Sequence, residues 1–333
     1  MSRVGGAAGV DLTGVILAAG VGSRMQPYAP GPKACLPVCN QPLVDHQLAI
    51  FARLGIRQVV VVVGHLGDQV AQAVRVGCPA EIELRFVEQP APRGIADALW
   101  QARDFVAARM VVVLGDTYLV AGDLHAGLRG LEEQGGRPTA AVLSIRREPS
   151  PARIRQECTV RFDAGGSLER IEEKPARPFN DLKPCGLYFF APAIFEAIAR
   201  TPPSALRGEV EITDALQLLV DSGYRVGRAA AVLWDRNLNT PADLLACNLA
   251  ELRRRHLQVL LHPDAQVDAS AVLHNVVVGD QARIGPESWL TNVVLLPETA
   301  VGSAQSLSDA LVTPAGVFTQ RPAAEASSNS PVT

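Results

Sequence analysis

Val15-Ile16-Leu17-Ala18-Ala19-Gly20-Val21-Gly22-Ser23-Arg24-Met25 is the stretch that decides the fold of this chain. A short apolar run enters a turn with two glycines, the pattern of a buried strand followed by a tight loop. Downstream, residues 43–54 repeat apolar positions with helical spacing, and Gly55 stands where a C-cap glycine belongs. Gln58–Val63 is one polar residue followed by five valines. So dense a β-branched run suits a parallel strand covered on both faces. Residues 67–76, 81–88, 94–105 and 110–114 continue as helix, strand, helix and strand. The alternation predicts a three-layer, Rossmann-like α/β fold around a mostly parallel mixed sheet. Ligands in such folds bind outside the carboxyl ends of the strands, which puts the Gly20–Gly22 turn and Asp116 on one edge.

The whole chain sets limits around that edge. It has 333 residues, 48% hydrophobic and 20% charged, enough for one large domain and a small one. A formal net charge of −3 gives no field for nucleic acid, so an anionic substrate has to be held by local cations. The apolar runs fall short of the roughly 18–20 residues of a membrane span. Residues 1–11 are Gly- and Ala-rich without the apolar stretch of a signal peptide, and the expected location is the cytoplasm. Six cysteines (Cys35, Cys39, Cys78, Cys158, Cys185 and Cys247) contain no C-x-x-C pair, which argues for free thiols over a metal clip.

Beyond Pro149 the alternation loosens. Residues 159–162 and 168–172 read as a hairpin around Asp163-Ala164-Gly165-Gly166, residues 186–190 and 226–232 as strands, and 212–221 and 242–256 as helices. Then Val272, Val278, Ile284, Leu290 and Leu296 recur every six residues, with Val301 and Leu307 following after a one-residue slip. A six-residue step predicts a short parallel β-helix, too short to stand well without a partner. The expected organisation is an α/β domain over 12–256, a β-helix over 257–320, and disordered tails at 1–11 and 321–333.

The glycine turn carries the strongest chemical signal. Gly20 and Gly22 allow backbone amides close to a phosphate, and Arg24 and Lys33 are cations placed to neutralise a triphosphate. A dinucleotide-binding turn competes, but the third glycine of that fingerprint falls on Met25, and no acidic residue ends the Gln58–Val63 strand.

With Pro32-Lys33 and Leu36-Pro37-Val38 added, the chain resembles the sugar-phosphate nucleotidyltransferases, which include the glucose-1-phosphate thymidylyltransferases and uridylyltransferases. Gln89 to Ala98 is similar to the family's base-binding segment, Leu114-Gly115-Asp116 to its metal aspartate, and Ile171-Glu172-Glu173-Lys174-Pro175 to its sugar-phosphate motif. Gly186 to Phe190, Glu211-Ile212-Thr213-Asp214, Trp234-Asp235 and Asn239-Thr240-Pro241 follow in the family's order. The resemblance implies a left-handed β-helix at the C-terminus and a nucleotide site of Leu17, Ala19, Gly20, Gly22, Gln89 and Gly94. It also implies Mg²⁺ on Asp116 and Asp235, sugar contacts from Glu173, Lys174 and Gly186, and charge neutralisation by Arg24, Lys33 and Lys174. Read by themselves, Asp116 could be an Asx turn, Asp235 a surface turn residue, and Glu172 to Lys174 a solvated hairpin edge.

The implied reaction joins a nucleoside triphosphate (dTTP or UTP) to a sugar 1-phosphate (glucose 1-phosphate favoured) and releases pyrophosphate. The acceptor phosphate is already ionised near neutrality, so no His or Cys base is required. Guanylyl or cytidylyl transfer, and a non-catalytic nucleotide-sugar-binding regulator, are the alternatives. The expected partners are these two substrates and further copies of the chain, with no nucleic acid and no membrane. One departure stands out. Glu157-Cys158 occupies the place of a Tyr-Gly pair whose glycine faces the sugar in the family, and Thr117 replaces an Asn after the metal aspartate.

Overall fold

The computed structural model describes residues 12–319 except 107, 133–136 and 206. The expected tails, 1–11 and 321–333, lie outside the described residues. Contacts divide the chain into two compact units, the larger taking residues 12–26, 30–37 and 41–238. Its elements, with short strands β2 (Pro37–Val38) and β3 (Gln41–Pro42) near the start, run β1 (Leu12–Ala18), α1 (Leu43–Arg53), β4 (Gln58–Val63), α2 (Gly67–Gly77), β5 (Glu83–Glu88), α3 (Ile95–Gln101), β6 (Arg109–Leu114), β7 (Thr117–Ala121) and α4 (His125–Gly130). They continue with β8 (Thr139–Arg147), α5 (Pro151–Ile154), β9 (Cys158–Phe162), β10 (Leu168–Glu173), β11 (Leu182–Phe190), α6 (Ala193–Arg200), α7 (Ile212–Asp221), β12 (Arg225–Ala229) and β13 (Val232–Asn237).

Seven strands form one mixed sheet in the order β12-β8-β11-β6-β1-β4-β5. β4, β1 and β6 pair in parallel, and β11 runs antiparallel to both β6 and β8. The alternation of side chains along each strand fills two separate cores. Val15, Leu17, Val60 and Val62 pack with α3, α6 and α7, while Ile16, Ala18, Val59 and Val61 pack with α1 and α2. The valine run is therefore buried on both faces, as its composition requires. The expected single strand over 226–232 is two strands: β12 joins the large sheet and β13 pairs antiparallel with β7.

The second unit contains residues 27–29, 38–40 and the chain from Asn239 onward. Helix α8 (Pro241–Arg254) opens with a capping box between Thr240 and Asp243. Strands β14 (Val259–Leu261), β15 (Gln266–Val267), β16 (Val272–Val278), β17 (Arg283–Ile284), β18 (Trp289–Leu295), β19 (Ala300–Val301), β20 (Ser306–Thr313) and β21 (Gly316–Thr319) follow. Each parallel pairing advances by 17 residues, as in Val259↔Val276, Val276↔Val293 and Val293↔Ala310. The repeat is thus six, six and five rather than a uniform six, and this corrects the sequence register at two positions. Val272 is 44% exposed, with Leu273 turned inward instead, and Leu295 rather than Leu296 joins the inner cluster. Asn275, Asn292 and Asp309 stack at one corner with φ of 53°, 55° and 48°, a region these residue types tolerate. Asn275 Nδ2 donates to Asn292 Oδ1 at 3.0 Å, and Asn292 Nδ2 to Asp309 Oδ1 at 2.8 Å. β21 folds back antiparallel on β20 and covers the last parallel edge.

Candidate active site

β1 and β6 end side by side, with Leu17 opposite Leu114. The turns that follow them leave the sheet together. Gly115 N–H donates to Leu17 O at 2.9 Å, and a Cβ on Gly115 would come within 2.7 Å of Ala18 Cα. Only glycine allows the Asp116 loop to approach the first turn this closely. Lys33 Nζ reaches Asp116 Oδ2 at 3.1 Å, with side chains 12% and 36% exposed. Gly22 has φ +66°, and a Cβ there would meet Lys33 Cγ at 3.0 Å, so the lysine stem crosses the turn where a side chain is missing. Gly20 opens onto empty space, and exposed Arg24 on the same turn makes no ion pair or hydrogen bond among the described residues. Leu17 and Ala19 are buried, at 9% and 6% exposure, so only their backbone can meet a nucleotide.

The Asp116 loop is braced from beneath. Gln47 on α1, 1% exposed, donates through Nε2 to Leu114 O at 2.9 Å and Thr117 O at 3.1 Å. A glutamine on the inner face of an amphipathic helix was the only sequence sign of this brace. Leu238 N–H donates to Asp116 O at 2.8 Å. The Thr117 hydroxyl lies 2.9 Å from Asn237 Oδ1 and 3.4 Å from Asp116 Oδ1. Gly186, at φ +71°, backs the same group: a Cβ would stand 3.2 Å from Thr117 Oγ1. Asp116, Thr117, Asn237, Gly186 and Lys33 therefore converge.

Asp235 does not join them. It is 1% exposed, Arg146 Nε donates to Oδ1 at 2.6 Å, and Lys183 Nζ donates to Oδ2 at 2.5 Å. Lys183 also holds Glu157 Oε2 at 2.5 Å, and Arg146 lies 3.4 Å from Glu148 Oε2. Burial disfavours the Lys183 ammonium, but Asp235 and Glu157 outweigh it and raise its pKa above the ordinary value. Both Asp235 oxygens are thus held by cations in this structure, one by buried Lys183 and one by partly buried Arg146. The sequence expectation puts Asp235 at the metal; in the structure it pairs with Arg146 and Lys183, while Asn237, two residues on, meets Thr117. Asp235 and Asn237 share a face of β13, two residues apart, and Asn237 is the one opposite Thr117. Asp116 with Asn237 offers the hard oxygen donors that Mg²⁺ prefers, so the residues present fit that ion.

The base-binding candidates form a second cluster. Gln89, 7% exposed, gives both amide hydrogens away, to Gly94 O at 3.1 Å and Asp97 Oδ2 at 2.8 Å. Its carbonyl oxygen is left as an acceptor. Gly94 has φ +109°, and a Cβ would be 2.5 Å from Val210 O, so no other residue fits.

Glu173 ends β10 and Lys174 follows with φ 43°, an unusual backbone for a lysine. Lys174 N–H donates to Glu157 O at 2.6 Å. Burial first, then the nearby Glu211 carboxylate, pushes the Glu173 carboxyl up to about 7.

Comparison with known proteins places the chain among relatives. The family model described as nucleotidyl transferase matches residues 13–236. A glucose-1-phosphate thymidylyltransferase of Streptomyces antibioticus is 31% identical over 305 residues, covering 90% of this chain and 80% of that protein. The low-salt glycan biosynthesis nucleotidyltransferase Agl11 of Haloferax volcanii is 31% identical over 336 residues, covering 90% and 92%. A solved UDP-glucose pyrophosphorylase complexed with UDP-glucose shares the fold, with a TM-score of 0.60 at 18% identity over 73% of this chain and 99% of its own. Among the described residues no helix is long and apolar enough to cross a membrane. With a matching family model over residues 13–236, and the Gly20–Gly22 turn and Asp116 loop brought to one sheet edge, the chain belongs to the nucleotidyl transferase family, among the sugar-phosphate nucleotidyltransferases.

Proposed function

We propose that the enzyme transfers a thymidylyl or uridylyl group from dTTP or UTP to a hexose 1-phosphate, glucose 1-phosphate first among candidates, with Mg²⁺ as cofactor. The observation that carries the proposal is the 3.1 Å contact between Lys33 and Asp116, beside the open Gly20 turn. It supplies a cation and an anion at the place where a triphosphate and its metal would meet. Gln89 supports the choice of base. Its carbonyl accepts, so it suits the ring N–H of thymine or uracil and not the bare ring nitrogen of cytosine.

The backbone of Gly20 to Gly22 takes the phosphates, and Arg24 and Lys33 neutralise charge that grows on the leaving pyrophosphate. Lys174 orients the acceptor phosphate, whose ionised oxygen attacks the α-phosphorus in line. Asp116 and Asn237 would hold Mg²⁺, which supplies charge neutralisation at the α-phosphate when bound. We further propose that the 17-residue coils form a left-handed β-helix through which copies of the chain associate in the cytoplasm.

Pyrophosphate release over a grid of the four ribonucleoside triphosphates, dTTP and several hexose 1-phosphates, with and without Mg²⁺, tests the reading. Turnover confined to dTTP or UTP and lost in chelator is the expected result. Tight binding of nucleotide sugars without turnover of any pair would replace the enzyme by a regulator. Light scattering of the purified chain reports the oligomer.

A further inference from the structure

We infer that Glu157 determines which sugar phosphate is accepted: held by Lys183 through one carboxylate oxygen, it offers the other to a hydrogen-bond donor on the sugar, a hydroxyl or an ammonium. The inference deepens the reading above and rests on the role given there to Lys174.

Three features lead to it. The first is place. Cys158 pairs with Glu173 across the β9–β10 hairpin, so Glu157 stands opposite Lys174 and accepts its backbone N–H at 2.6 Å. On the other side, the charge chain enters β13 at Asp235, two residues from Asn237. Two residues of strand are about 7 Å, so the charge chain starts near the Thr117–Asn237 group and ends at Glu157, whose backbone carbonyl meets Lys174.

The second is charge. The chain Glu148–Arg146–Asp235–Lys183–Glu157 contains three carboxylates and two cations. Asp235 and Lys183 are 1% and 2% exposed, while Glu157, at 19%, is the open end. Asp235 is matched on both oxygens, and the surplus negative charge falls at the terminal acids. Oε1 of Glu157 makes no hydrogen bond or ion pair among the described residues. An ionised carboxylate only accepts, so it repels a phosphate and calls for a donor.

The third is cost. Burying such a network is weak support for stability, since apolar residues of similar volume often serve as well. A fixed, half-open carboxylate beside the acceptor site is better accounted for by recognition, where pre-positioned acceptors discriminate strongly against analogues lacking the donor.

The test measures kcat/KM and equilibrium binding for the parent hexose 1-phosphate and its singly deoxygenated and amino-substituted analogues, on the wild-type enzyme and on Glu157→Gln. One ring position is expected to lose about tenfold or more on deoxygenation in the wild type. Glu157→Gln should show that loss with the parent sugar and no further loss with that analogue, with the triphosphate KM unchanged. Retention of the amino analogue at that position assigns an ammonium; its rejection assigns a hydroxyl. Should Glu157→Gln melt early, Glu157→Asp keeps the charge pair while withdrawing the oxygen, and is read the same way. Turnover with a flat analogue profile, or equal losses in variant and wild type that simply add, would overturn the inference and leave nucleotidyl transfer standing. A folded wild type that neither binds nor turns over any hexose 1-phosphate would remove both.

Discussion

Lys33–Asp116 and Lys183–Asp235 are made of the same two residue types in the same unit, and they do opposite things. Asp116 is 36% exposed on a loop, with one lysine and one hydroxyl near its carboxylate. Asp235 is 1% exposed on a strand, with both oxygens taken by Lys183 and Arg146. The first pair is only partly buried, with Asp116 reaching solvent, so it is less costly to open than a pair sealed from water. Opening the second would strand buried charge. Availability, and not residue type, separates a site from a strut.

The largest effect expected from this contrast is catalytic. Asp116→Asn should lower kcat by about a thousandfold or more, about 4 kcal/mol of transition-state stabilisation, with unfolding barely shifted. Steady-state pyrophosphate release and a denaturant melt measure both, and a variant retaining most of the rate would remove Asp116 from the chemistry. The strut should respond the other way. Lys183→Met leaves Asp235 and Glu157 facing each other without their shared cation and should cost about 3–5 kcal/mol of stability. A denaturant midpoint within error of the wild type would mean the cluster is not the buried network described.

A smaller change sharpens the border between the two regions. Asn237→Ala should raise the Mg²⁺ concentration for half-maximal rate by about tenfold, the loss of one oxygen donor, and leave stability nearly intact. Asn237→Asp should hold or tighten it. If neither variant alters the Mg²⁺ titration, Asn237 is a packing residue for Thr117 and nothing more.

Most of the fold, and the meeting of the Gly20–Gly22 turn with the Asp116 loop, were legible because they follow from local pattern. The valine run of β4, the Gly20–Gly22 turn and the β9–β10 hairpin each carry their reason within a few residues. What escaped depends on pairing between distant segments. No spacing rule distinguishes Asp235 from Asn237, which share a strand face, until β13 lies against β7 and Lys183 arrives from β11. A carboxylate is the more obvious metal ligand, and chemistry alone favours Asp235 over the asparagine that lies opposite Thr117. β8 and α6 went unread for a similar reason, since their uniformly apolar or short repeats give no distinctive period. In the second unit the five-residue step is set by the corner geometry of Asn275, Asn292 and Asp309, which a search for equal spacing passes over.

The smallest expected effect concerns Glu173, which lies between the two cases: half-buried, with no hydrogen bond among the described residues and with acidic neighbours Glu211 and Asp214. Burial, then Glu211, holds its carboxyl at about 7 in the folded protein against an ordinary 4.5. The folded state therefore binds this proton more tightly than the unfolded state does. The stabilisation is complete below the unfolded value, declines as pH rises from about 4.5, and is gone above about 7. Glu173→Gln removes the titration. After allowance for solvent at a half-buried site, the variant should be more stable than the wild type by about 1 kcal/mol at pH 8 and should match it near pH 4.5. The difference between paired melts across that range isolates this group from the other carboxylates, Asp45 included. A difference that stays constant with pH would mean that Glu173 is already ionised throughout, leaving it as open to a ligand as Asp116.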